Sequence, residues 1–181
     1  FIINDENSVK ASYARNTQSM HLLSNTTSTS PTDKWIPTSI NIKPEIADQF
    51  SIGYYRNFAK NKYETNFETY YKGMQNQIDY RDGAEINVNE LIEGDLLYGI
   101  GRAYGAEFSV KKKEGTFTGW ISYTLSRTER KIEGINNGNW YAARQDQTHN
   151  LAVVGIYHLN KKWTVSGTFV YNTGNAVTFP S

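Results

Sequence analysis

The residues of this chain whose types could do chemistry are three histidines, two acid pairs and one glycine run. His21 falls in a loop-like stretch. His149 and His158 stand an odd number of residues apart on one strand pattern, so they face opposite ways and share no metal centre. The pairs Glu64/Glu68 and Asp79/Asp82 have the carboxylates that acid–base hydrolysis needs, but no pocket signal accompanies them. "GIGRAYG" (99–105) has glycines one residue too widely spaced for a dinucleotide loop, and no helix pattern follows it. Its glycines read instead as relief of crowding in a curved sheet. Asn25-Thr26-Thr27 matches a glycosylation acceptor, a triplet common by chance. The expectation is a protein with no catalytic residues, no metal and no cofactor. Better candidates lie in two loops. "SPTDKWIPTS" (30–39) sets Trp35 between two prolines, and "INNGNWYAARQDQTHN" (135–150) joins the turn signal Asn137-Gly138 to Trp140, Tyr141, Arg144 and Asp146. Aromatic and guanidinium groups on loops supply contact area and oriented donors, so these five are the expected ligand-binding residues. Packing of loop against loop would use the same side chains.

The elements that would position those loops are strands. Seven segments alternate apolar and polar residues with a period of two: 8–18, 49–58, 63–80, 96–112, 116–127, 148–159 and 163–171. In "WTVSGTFVY", Trp163, Val165, Phe169 and Tyr171 share one face, and small polar residues dominate the other. Segment 148–159 is apolar on both faces around Leu151–Val154, so its register stays open. "NVNELIEG" (87–94) makes at most a turn of helix. Thirteen Tyr and eight Phe against four Pro and two Met suit an all-β chain.

The connections alternate strictly. Those at 59–62, 113–115 and 160–162 are tight; those at 19–48, 81–95 and 128–147 are long. An antiparallel meander sends every other connection to the same end, which is the asymmetry of outer-membrane barrels. Phe58, Tyr63, Phe117 and Trp163 flank the tight turns, with Lys60, Lys62, Lys111–Lys113, Lys161 and Lys162 beside them, as at a bilayer interface. Polar faces carry Glu64, Glu68 and Glu107, and the apolar faces of 50–54, 117–125 and 163–171 carry no charge. No apolar run approaches the roughly 18 residues of a membrane helix, but a barrel strand needs only about 9–11, half of them polar. The net charge of +1 gives no broad electrostatic case for nucleic acid or anionic lipid. Cysteine is absent, so disulfides and thiolate sites are excluded.

Several stretches resemble the barrel domain of TonB-dependent outer-membrane receptors of Bacteroidetes-type bacteria: "KPEIADQFSIGYYRNF", "YYKGMQNQIDYRDGAEI", "GRAYGAEFSVKKKEGTFTGWISYTLSRTER", "GINNGNWYAARQDQTHNLAVVGIY" and "TFVYNTGNAVTFPS". That resemblance implies a 22-stranded barrel, a plug in its lumen, and import of a scarce ligand coupled to TonB–ExbB–ExbD. An iron chelate, a vitamin, an oligosaccharide or a peptide would each suit. Seven strands are about a third of such a barrel, so residues 1–181 are expected to form part of the barrel domain, without plug or final strands. The expected partners are outer-membrane lipid, the remainder of its own barrel and plug, the TonB complex and a surface lipoprotein. Two alternatives stay open: a passive or anchoring outer-membrane barrel, and a soluble β-sheet module that binds a carbohydrate or peptide. The soluble module would bury its Phe, Tyr and Trp faces against each other.

Overall fold

Runs of β-branched and aromatic residues with period-two patterning, interrupted only at Asn, Gly and Lys turns, leave this chain no option but strands. The computed structural model describes residues 1–23, 34–80, 94 and 96–174. The helical turn expected in 87–94, most of the 81–95 loop, Asp82, Asn25-Thr26-Thr27 and the first residues of the 30–39 stretch lie outside the described residues. The strands are β1 (Ile2–Asn4), β2 (Asn7–Gln18), β3 (Met20–Leu23), β4 (Lys34–Pro37), β5 (Glu45–Phe58), β6 (Tyr63–Tyr80), β7 (Leu96–Lys112), β8 (Phe117–Ile132), β9 (Tyr141–Ala142), β10 (His149–His158) and β11 (Thr164–Asn172). One antiparallel sheet runs β1-β2-β5-β6-β7-β8-β10-β11, with β9 on β8; β3 and β4 form a separate hairpin.

All seven expected strands are present, and their connections segregate as the alternation requires. A fourth tight turn, at Asp5–Glu6, joins the turn end, where Asn57 N–H donates to Glu6 O at 2.8 Å. Ala59, Lys60 and Asn61 all take positive φ there. Two strands run longer than their apolar patterning. The polar 128–132 stays extended because β7 pairs it along one edge and β9 meets Glu129 and Arg130 on the other, and 45–48 because β2 and β6 flank it. The long connection 19–48 contains the β3–β4 hairpin.

Register fixes the faces. Val9, Tyr54, Phe67, Phe108, Tyr123, Leu151 and Tyr171 lie on one cross-strand line; Ala11, Ile52, Thr69, Ala106 and Leu125 lie on the next. The register of β10 is thereby settled: Leu151, Val153 and Tyr157 join the apolar face. That face is the exposed one. On β5, Phe50, Ile52 and Tyr54 are open while Gln49, Ser51 and Tyr55 are half-covered and Gly53 is buried. A soluble sheet would reverse this order. Among the described residues the buried apolar side chains are Ile42, Ile78, Leu96, Ala103, Ile132 and Ala143, all at the loop end. Among the described residues a conventional core thus forms only beyond the apolar band, and none of them packs a second layer on the band itself. The soluble alternative, with its aromatic faces buried against each other, does not fit.

The band has the height and slant of a membrane wall. Phe50–Phe58, Tyr63–Tyr71, Phe117–Leu125 and Trp163–Tyr171 each span nine residues, against the about 9–11 a barrel strand needs. Phe58 at its lower border lies level with Gly167 on β11, five strands away, but the border on β11 is Trp163, four residues on. With ~3.3 Å per residue and ~4.8 Å per strand, the strands tilt about 30° from the band's normal. Barrel strands tilt roughly 35–45°. The fold is all-β, an antiparallel up-and-down meander, part of a large transmembrane β-barrel.

The glycines of 99–105 relieve crowding as expected, on the concave face. A Cβ on Gly99 would lie 2.2 Å from Lys131 O, and one on Gly105 2.7 Å from Leu125 O.

Candidate functional site

Beyond the band, β6, β7 and β8 continue together toward the long loops, and a single irregularity decides what they present. Asn76 adopts positive φ and is skipped by the pairing, so Gln75 faces Ile100 but Gln77 faces Gly99. This bulge inverts the alternation of everything after it. Counted straight from Tyr63, Asp79 would point outward; the bulge turns it to the concave side with Leu97 and Gly99. Asn76 Nδ2 donates to Pro44 O at 2.8 Å and Tyr98 OH to Asn41 O at 3.2 Å, which pins the 19–44 connection to these strands.

The 133–148 loop is built back onto β8. Asn136–Gly138 forms a 3₁₀ turn with positive φ at all three residues, the reversal that Asn and Gly tolerate best. Asn136 Nδ2 donates to Trp140 O at 3.2 Å. β9 then lies along β8, with Tyr141 opposite Arg130 and Ala142 opposite Glu129. Ala143 N–H donates to Thr128 O at 2.9 Å, and Ser126 Oγ to Gln147 O at 2.9 Å. Asp146, 5% exposed, accepts from Thr128 N–H at 2.6 Å through one oxygen and from Arg127 Nη1 at 3.0 Å through the other. Both oxygens of Asp146 are therefore spent on holding the loop.

Trp140 and Tyr141, adjacent in sequence, fall on opposite sides of the wall. Trp140 carries the Arg102 guanidinium 4.1 Å above its ring. Arg102 belongs to the outward face, where Glu129 Oε2 accepts from both Nε and Nη2 at 2.8 Å. Tyr141 goes to the concave side, donating its OH to Asp79 Oδ2 at 3.2 Å. Arg130 Nη1 stands 3.6 Å from the same oxygen and donates to Ile78 O at 3.4 Å, while its buried Nε has no partner among the described residues. Arg144 is half-buried in the same loop. Trp35 lies in the other loop, on β4 opposite Leu22, 60% exposed. His21, on the partner strand, is buried and sits 3.4 Å from Glu45 Oε1.

Further down the concave face the lining stays polar. Glu68 and Glu107 stand directly opposite each other, Tyr55 OH donates to Glu68 Oε2 at 2.7 Å, and Lys10 Nζ lies 4.5 Å above the Tyr55 ring. Such a surface suits a wet or protein-filled interior. No cluster of His, Cys, Asp and Glu with metal-binding geometry occurs among the described residues.

The structure thus brings Tyr141 together with Arg130, which the sequence did not single out, and with Asp79, set aside there with Asp82 for want of a pocket signal. The bulge at Asn76, which nothing local announces except the asparagine, is what turns Asp79 to the concave side. The structure also shows Trp140 and Asp146 engaged in fixing the loop. The family model described as TonB dependent receptor-like, beta-barrel matches residues 1–181, and the chain belongs to that family, a family of outer-membrane receptors and transporters. No curated protein and no solved structure matches it.

Proposed function

With membership of this receptor family as the premise, we propose that the chain is part of the wall of an outer-membrane receptor that binds a scarce nutrient at the cell surface and imports it with TonB-coupled energy. The observation that carries this reading is the polar concave face beneath the 133–148 loop, which is built back onto β8, set against an apolar band nine residues high. A passive pore also has a polar interior, but its loops need no built cluster such as Tyr141–Asp79–Arg130.

In this reading the ligand meets Tyr141, Arg144 and Trp35. Arg130 and Asp79 set the polarity below them, and Trp140 and Asp146 hold the loop in place. β11 is exposed along its whole length, an unpaired edge that hydrocarbon penalises by several kcal/mol per exposed polar group. The sheet therefore works with neighbouring strands from the rest of its own barrel, a plug within, and lipid outside. A surface lipoprotein above the loops completes the set.

The test is uptake by a receptor-deleted host carrying the full chain, offered labelled iron chelates, cobalamin, oligosaccharides and peptides. One class should accumulate against its gradient, and an uncoupler should abolish accumulation. Entry that persists with the uncoupler would establish the passive alternative.

A further inference from the structure

Arg56 breaks the rule of the lipid-facing wall. It lies on the apolar face, on the cross-strand line of Thr65, Val110, Ile121, Val153 and Phe169, one alternation above Phe58 at the turn end. The outward arginines at the loop end all have carboxylates: Arg15 has Asp48 at 3.5 Å, Arg102 has Glu129 at 2.8 Å, and Arg127 has Asp146 at 3.0 Å. None of the ion pairs among the described residues includes Arg56. Its guanidinium sits 6.0 Å from the Phe58 ring instead. A cation beside hydrocarbon needs a counter-charge, and no ion pair among the described residues supplies one to Arg56.

The same arginine opens on a groove of about 410 Å³, lined by Tyr54, Phe58, Thr65, Phe67 and Phe108. The groove exists because Thr65 is small between Tyr63 and Phe67, and its hydroxyl is turned down to donate to Arg56 O at 3.1 Å. Four rings therefore wall an apolar trough with one guanidinium at its head. Beside it Lys112 holds its ammonium over Tyr63 at 6.0 Å and Phe117 at 5.8 Å, so a second cation stands at the same border. Lys60 and Lys62 follow in the adjoining turn.

We propose that this groove binds one glycerophospholipid of the turn-end leaflet, its phosphate on Arg56 and an acyl chain laid along the rings. Guanidinium and phosphate oxygens match in charge and in hydrogen-bond geometry. The aromatic walls select a chain-bearing molecule over a free anion. The proposal rests on the assignment of this face to lipid, which is tested separately through Ile121 below.

The experiment is native mass spectrometry of the whole delipidated receptor, titrated with a phosphatidylglycerol, a diacylglycerol of the same chains, and inorganic phosphate. Phosphatidylglycerol should bind, and the other two should not compete with it. Arg56→Gln should weaken binding about tenfold, a loss of the size expected for one charge-assisted contact. Arg56→Lys should recover part of it. Thr65→Trp, which fills the groove and leaves the charge, should weaken it as well. Removing a cation from the lipid face does not hinder insertion, so Arg56→Gln yields assembled protein to measure. Equal binding by Arg56→Gln and the native receptor would overturn the proposal, as would diacylglycerol binding as tightly as phosphatidylglycerol. Inorganic phosphate displacing the lipid would reduce the site to a simple anion contact and overturn it too.

Discussion

Ile121 is the fifth of the nine residues from Phe117 to Leu125, so it stands at the mid-height of the band. Its neighbours on the outward face are Val110 on β7 and Val153 on β10, and it is 47% exposed, with none of the described residues layered over it. Ile121→Arg places a guanidinium where only hydrocarbon is available. At that depth an arginine on a barrel strand costs about 2–4 kcal/mol, or about 30- to 900-fold in the folding equilibrium. Near the border the same charge costs ~0–1 kcal/mol; Arg56, two residues from the centre of its own strand's band and two from Phe58 at the border, stands between these limits. Ser122→Arg, one residue along, turns to the concave face among Ser109 and Ala152 and should stay within about 0.5 kcal/mol of the native protein. The assay is reversible urea unfolding of the full receptor in phospholipid vesicles, followed by tryptophan fluorescence and by heat-modifiable migration. The two substitutions should differ by at least ~1.5 kcal/mol, Ile121→Arg being the worse. Equal cost at both positions would refute the assignment of faces, and with it the lipid-facing wall.

Three further outcomes follow from the loop and the glycines. Asp146→Ala removes the acceptor for Thr128 N–H and Arg127, so the 133–148 loop should become more accessible to limited proteolysis on the assembled receptor. The barrel's unfolding should shift by no more than about 1–3 kcal/mol, the cost of one buried donor left unmade. Tyr141→Phe and Arg144→Ala should each weaken uptake of the imported ligand with assembly unchanged, and normal uptake by both would remove the loop from the binding site. Gly99→Ala, whose new methyl would meet Lys131 O at 2.2 Å, should lower the assembled fraction, whereas the same change at Gly167, which has nothing within 4 Å, should leave it unchanged in heat-modifiable migration.

Most of the fold was legible because a barrel wall is written in the plainest code a sequence has. "WTVSGTFVY" and "TFTGWISYTL" state their faces by alternation alone, and tight turns at Ala59–Lys62 and Asn160–Lys162 state where the chain reverses. Strand 148–159 was ambiguous because Ala152 and Val154 put apolar groups on the concave side, and only pairing with β8 and β11 decides it. The site was less legible. Asn76 shifts parity without a glycine or proline to mark it, so the pairing of Asp79 with Tyr141 and Arg130 could not be read from the sequence. Residues 128–132 look like loop because their charges suit water, yet pairing with β7, and with β9 at Glu129 and Arg130, keeps them extended. Trp140 and Tyr141 have equal appeal as recognition residues in sequence, and only the register of β9 separates them to the two sides of the wall.

In an outer-membrane wall built from these strands, the long loops should reach the cell surface and the tight turns should face the periplasm. The most direct test inserts a small epitope beside Asn137-Gly138, in the 3₁₀ turn, and in a second receptor beside Asn160, in the turn between β10 and β11. Antibody added to intact cells should label the first and not the second, and the second should become labelled once the outer membrane is breached. Labelling of both on intact cells, or labelling of Asn160 alone, would contradict the account.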